Sequence, residues 1–137
     1  MISSLLGLFV LLRIRRLELQ GRLDDAISRS QKFRTSDVYY GSFAEVYHAK
    51  LLMRRYDEAA TDAIRALISK KEGYSRLRNG DYLSEYVDYL VAVRDNNNKM
   101  IESLSKSLKK KDVPRYVSGF LPAFEIHELE CDYGDSL

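Results

Sequence analysis

Apolar residues recur every three or four positions along most of this chain, the spacing that lines one face of a helix. Phe43, Val46, Tyr47 and Leu51 follow it, and so do Leu83, Tyr86, Val87, Leu90 and Val91. The pattern predicts a first helix over about 3–20 and a break at Gly21-Arg22. A second helix carries Ala26, Ile27 and Phe33 and ends near Thr35. Ser36-Asp37 supplies a capping signal for a third helix, which breaks at Arg54-Arg55. Asp57 can cap a fourth, whose small and apolar face holds Ala59, Ala60, Ala63, Ile64, Ala66 and Leu67. KKEGYSRLRNGDY (70–82) is the longest polar stretch and holds two glycines, so a flexible loop is expected there. The valines of the fifth helix would also suit a strand, but strict alternation is missing and helix is preferred. Asn96-Asn97-Asn98 is a turn with capping chemistry. The sixth helix carries Met100, Ile101, Leu104 and Leu108 and closes on Lys109, Lys110 and Lys111, where cations suit the carbonyl end. A short seventh helix is expected to start near Pro122. Both prolines, Pro114 and Pro122, fall late, so nothing interrupts the earlier helices. No hairpin signal appears, and the expected fold is all-α, built of helix pairs with tight turns.

The amino end tests this reading. ISSLLGLFVLL is an apolar run of eleven residues followed by RIRR. A spanning helix needs about twenty apolar residues. A secretory signal carries its positive charge before the apolar run, and here the charge comes after it. The run therefore reads as the first half of a helix, apolar all round, that packs in the core. Self-association, or shallow membrane contact helped by Arg13, Arg15 and Arg16, are the other readings of residues 2–16.

Charge changes the picture at the other end. The chain of 137 residues has a net charge of +2, too small to imply nucleic acid. Residues 123–137 hold Glu125, Glu128, Glu130, Asp132 and Asp135 and no Lys or Arg, which leaves 22 basic and 15 acidic groups, a net of +7, on residues 1–122. The sequence thus divides into a helical-repeat domain over 1–122 and an acidic tail over 123–137. The tail is expected either to lie against the basic body or to stay solvated. The single Cys131 excludes an internal disulfide and fits a reducing compartment, so a cytoplasmic location is expected.

Two stretches nearly repeat: GRLDDAI (21–27) and RRYDEAA (54–60), 33 residues apart. Leu23 matches Tyr56, Asp24 matches Asp57, Asp25 matches Glu58, and Ala26 matches Ala59. Each copy falls at a turn between helices. The large apolar residue can close the turn, the acidic pair suits the positive amino end of the next helix, and the alanine allows close approach. With EVYHAKLLMRRYDEA (45–59), Ala63 and Ala66-Leu67, the second copy resembles a tetratricopeptide repeat. The first copy keeps Gly21, Leu23 and Ala26 but departs at Arg13, Ile14 and Arg16. The resemblance covers residues 5–70, and a third pair over about 81–110 follows by analogy. It implies a right-handed α-solenoid of stacked antiparallel helix pairs, about three hairpins plus a carboxy-terminal segment.

The resemblance also implies a protein-protein interaction module that binds a partner segment in a groove. In peptide-binding members the first helix of each pair lines that groove. The corresponding residues are Arg15 and Glu18, then Ala44, His48, Leu51 and Leu52, and from the third pair Tyr86, Tyr89 and Arg94. Members that hold a terminal carboxylate use Lys and Asn, whereas Ala44 and His48 stand here. His48 itself is expected on an exposed face. The alternatives are an inhibitor or immunity-type protein that covers a partner with its acidic tail, and a membrane-peripheral or self-associating module acting through residues 2–16.

Candidate chemistry is sparse. His127 and Cys131 in HELEC are four apart, half a zinc site at best. Gly73 and Gly80 fit no phosphate-binding loop. RIRR (13–16) and KSLKKK (106–111) are basic, but Tyr47, Tyr56 and Tyr86 sit at core spacing rather than as a stacking platform. No enzyme, cofactor, metal or nucleic-acid partner is expected, and the predicted partner is another protein or peptide.

Overall fold

A computed structural model describes residues 2–33, 38–55 and 58–122. Among these residues the chain forms seven α-helices, one 3-10 helix and no strand: α1 (Ile2–Leu19), α2 (Leu23–Phe33), α3 (Val38–Arg54), α4 (Ala59–Lys70), the 3-10 helix Lys71–Arg76, α5 (Gly80–Arg94), α6 (Asn98–Lys110) and α7 (Arg115–Phe120). The strand alternative for residues 83–93 is thereby settled as helix. The capping positions at 36–37 and Asp57, together with Tyr56 and the tail 123–137, lie outside the described residues.

Each helix from α1 to α5 packs on its successor, and α1 also touches α3 while α3 touches α5. The odd helices therefore form an inner layer and the even helices an outer one. Their burial patterns differ accordingly. Helices α3 and α5 are buried on nearly every side, from Phe43 to Met53 and from Tyr82 to Val93. Helices α2, α4 and α6 each bury one stripe: Ala26 and Ser30 with half-buried Phe33, then Ala60, Ile64 and Leu67, then Ile101, Ser105 and Leu108. Positions i, i+4 and i+7 recur in all three, as expected for a helix with one face in water. From α2 to α4 the stripe repeats after 34 residues rather than the 33 of the matching letters. Ala60 occupies the buried place of Ala26, and Ala59 and Ala66, expected on the apolar face, are exposed.

Helix ends explain where the pairs turn. At the end of α1, Arg22 N–H donates to Leu17 C=O at 2.9 Å and Gly21 N–H to Glu18 C=O at 3.0 Å, with Gly21 at φ +78°. These two bonds satisfy carbonyls that the helix leaves open, and the left-handed residue between them suits glycine. The same pair of bonds closes α5, from Asn97 to Ala92 and from Asn96 to Val93, with Asn96 at φ 54°. The Asn97 side chain then accepts from Met100 N–H at 3.3 Å and caps α6. The first two turns also meet in space, because Arg55 pairs with Asp24.

Two expectations are corrected. Residues 70–82 are not an open loop. Tyr74 in the 3-10 helix is buried, and its carbonyl lies so close over Gly80 that a Cβ there would collide with it. Polarity of the flanking residues hid this one apolar anchor. The seventh helix begins after Pro114 and not near Pro122, since Pro114 is its capping residue and Pro122 follows its end. A proline is tolerated where no intrahelical N–H is needed, and Pro114 meets that condition first.

The amino-terminal run divides by face. Leu11, Ile14 and Leu17 are in the core, while Phe9, Leu12 and Leu19 are 65%, 48% and 66% exposed. Among the described residues no helix is long and apolar enough to cross a membrane.

Substituting Gly21 with Ala should cost about 1 kcal/mol, from backbone strain alone, because nothing crowds a Cβ there. Gly80→Ala should cost more, because backbone must move, and urea denaturation of both variants gives the comparison. The Tyr74 hydroxyl is buried with no hydrogen-bond partner among the described residues. Tyr74→Phe should therefore leave stability unchanged or raise it by about 1 kcal/mol.

Candidate functional site

Glu18 and Lys50 each interrupt an otherwise apolar stretch, Leu17-Glu18-Leu19 on α1 and Ala49-Lys50-Leu51 on α3, and both side chains are fully buried. Burial of either charge alone would cost several kcal/mol, so each needs partners. Lys50 Nζ lies 3.2 Å from Glu18 Oε2. Tyr47 O–H donates to Glu18 Oε1 at 2.6 Å, and Arg54 Nη1 and Arg15 Nη1 approach the two carboxylate oxygens at 2.8 and 2.7 Å. Tyr47, Lys50 and Arg54 are spaced three and four apart, and Arg15 and Glu18 three apart, so one stripe of α3 faces one stripe of α1.

Burial alone would raise the Glu18 pKa. The Lys50 charge and the hydrogen bonds from Tyr47, Arg54 and Arg15 outweigh it and hold the carboxyl at about 2. The same environment acts the other way on Tyr47, whose hydroxyl is pushed well above the ordinary phenol range by burial and by the adjacent carboxylate. Tyr47 therefore stays protonated and acts as a donor.

The network reaches a third element. Lys50 Nζ donates to the Phe120 carbonyl at 3.0 Å, at the end of α7. Tyr82 on α5 donates its O–H to the next carbonyl, Leu121, at 2.7 Å. The Tyr82 hydroxyl is itself pushed up to about 12 by burial and by Glu85, which keeps it a donor. The Phe120 ring meets Phe43 edge-on at 6.0 Å and Tyr47 at 6.1 Å, both from α3. Tyr82 stacks on Tyr86, and Tyr86 lies against Tyr89. Residues 120–122 thus lie across the inner layer, with two successive carbonyls held by side chains from α3 and α5 and one aromatic ring in an aromatic pocket.

This arrangement relocates most of the expected groove residues. Glu18, Ala44, His48, Leu51, Leu52, Tyr86 and Tyr89 are buried, and only Arg15 and Arg94 keep partial exposure. The physical reason is that α3 and α5 lie between the outer layer and the end of α7, so their side chains build the interior. His48 is the clearest correction: it is buried, and its Nδ1 lies 2.8 Å from Ser30 Oγ on α2. The Ser30 hydroxyl also reaches the Ile27 carbonyl at 2.9 Å. Arg94 pairs with its neighbour Asp95.

Lys50, Arg54, Tyr82 and Phe120 were not expected at a site, and Tyr47 was expected only as a core residue, which it is. A signal existed for the first of them, since a lysine inside an apolar helix face requires a buried acid, and Glu18 is the matching anomaly on α1.

Elsewhere the two basic clusters face outward. Arg13 and Arg16 are exposed and line, with Leu17, Gln20 and Arg22, a cleft of about 220 Å³ at the end of α1. Lys99, Lys106, Lys110 and Lys111 line a larger open cleft along α6, where Lys106 pairs with Glu102 and Lys111 with Glu85. Among the described residues no three His, Cys, Asp or Glu side chains are grouped to hold a metal ion. His127 and Cys131 lie outside the described residues.

No protein-family model, curated protein or solved structure matches this chain.

The depressed Glu18 pKa fixes the sign of a pH effect. The carboxylate contributes stability above the ordinary carboxylate range and loses it as pH falls towards about 2. Glu18→Gln should destabilise the fold by about 3–5 kcal/mol near neutral pH, because Lys50 loses its buried counter-charge. Thermal melts between about pH 7 and 2 should show that gap closing as pH falls below about 5.

Proposed function

We propose that this chain is a protein-protein interaction module of stacked helix pairs, similar to tetratricopeptide arrays, whose inner layer binds an extended segment of a partner. The alternation of inner and outer helices supports the stacking, and so does the 34-residue step between the buried stripes of α2 and α4. The observation that carries the binding reading is the hold on residues 120–122. Lys50 and Tyr82, from different helices, donate to consecutive main-chain carbonyls, while an aromatic side chain fills a pocket between them. Main-chain contacts supply affinity whatever the sequence, and the pocket selects a large ring. In this reading the chain's own strap occupies the position a partner segment takes, and the partner must displace it. The titratable groups of the inner layer serve this hold and the fold, so the reading calls for no reaction step.

A fluorescent peptide of sequence YVSGFLPAF, copied from residues 116–124, tests the reading. Phe120→Ala weakens the internal competitor and should raise the affinity for this peptide by at least about tenfold over the intact chain in fluorescence anisotropy. Equal or absent binding to both proteins, with Phe120→Ala still folded by circular dichroism, would sink it.

A further inference from the structure

Residues 123–137 carry five carboxylates and no Lys or Arg, against a net of +7 on residues 1–122. The chain enters this acidic segment from a fixed point. Pro122 is buried, Leu121 is held by Tyr82, and Phe120 is held by Lys50. Lys50 sits 3.2 Å from Glu18, whose other cationic partners are Arg15 and Arg54. The exit therefore lies one side chain away from α1. Glu18 stays ionised at neutral pH, held by these three cations.

Helix α1 also presents cations on its outer side. Arg13 and Arg16 are exposed and form the cleft with Arg22, and among the described residues neither Arg13 nor Arg16 has an ion-pair partner. Phe9, Leu12 and Leu19 lie on the same outer stripe and are exposed. The stripe thus mixes arginines with large apolar side chains. FEIHELECDY (124–133) mixes carboxylates with Phe124, Ile126, Leu129 and Tyr133 in the same manner. Reach is ample: a fifteen-residue segment extends up to about 50 Å, and the two sides of a helix are about 10 Å apart. Helix α6 is a poorer match in apolar surface, because Met100 is the only large apolar residue exposed on it among the described residues.

We propose that residues 123–137 dock on the outer face of α1, with their carboxylates against Arg13 and Arg16 and their apolar side chains over Phe9 and Leu12. The site lies on the side of α1 away from buried Glu18 and does not depend on what the inner layer binds. The docked segment covers the largest exposed apolar stripe of the described chain by contacts that salt can weaken. A partner that takes this face must then displace an acidic and apolar segment and must resemble it in chemistry.

Cys131, the only cysteine, allows the test on the full chain. A nitroxide attached to its thiol should strip most of the intensity from the backbone amide signals of α1 around residues 9–22. The signals should return in Arg13→Glu/Arg16→Glu and in 1 M salt, where the screening length falls to about 3 Å. Both arginines are exposed, so the double variant should keep its fold, which the unlabelled spectrum checks. A mixture of nitroxide-bearing unlabelled chain with isotope-labelled chain lacking nitroxide should show no loss. Intact α1 signals, loss centred on residues 99–111, loss that persists in the double variant, or loss in the mixed sample, which would mean a second copy, would each overturn the proposal.

Discussion

A carboxylate inside a protein has to find in its neighbours what water would have given it, and Glu18 finds a phenol, an ammonium and two guanidiniums. Those partners come from one turn of its own helix and two turns of α3. The consequence is geometric. Helices α1 and α3 are fixed in register, because a slip of either by one residue would leave a buried charge alone. Lys50 passes the constraint on to α7 by using a further proton for the Phe120 carbonyl. Replacing such a network by apolar residues could be neutral in energy, but the apolar version would not define which turn faces which.

The layering follows from this pairing and from the stripes of the even helices. An inner helix with neighbours on most sides can be apolar almost throughout, as α3 and α5 are. An outer helix needs only one stripe, and the i, i+4, i+7 pattern of α2, α4 and α6 supplies it three times. Between the second and third occurrence the step grows from 34 to 41 residues, because the 3-10 helix Lys71–Arg76 is inserted there. The buried stripe therefore keeps its i, i+4, i+7 form in the third pair while its distance from the second changes.

The sequence disclosed the helices and their breaks because periodicity and capping residues are local. Gly21 and Asn96 mark turns by their own conformational freedom, whereas the amino-terminal run read as apolar all round and did not show that Leu11, Ile14 and Leu17 form the buried side of α1. The site was less legible because it depends on pairs far apart in the chain. Glu18 and Lys50 are 32 positions apart, and Lys50 and Phe120 are 70 apart. Read singly, the first was a groove residue and the other two drew no attention. His48 misled for a related reason. A polar residue on a helix reads as exposed unless its partner is known, and Ser30 lies on another element. The alanines of the repeated stretch misled by one position, since letters align at 33 and burial at 34.

The contact between Tyr74 and Gly80 bears on how the inner layer meets anything laid across it. The connector between the second and third helix pairs is anchored in the core by Tyr74 and pressed against the start of α5, with contacts to both α4 and α5. The third pair therefore has no hinge at the place where the chain is longest between helices. Tyr82, two residues past Gly80, has its position set by that contact, as Lys50 has through Glu18. The two donors that hold residues 120–122 are thus preorganised at a fixed separation, and the ordering cost of that contact falls on the strap alone.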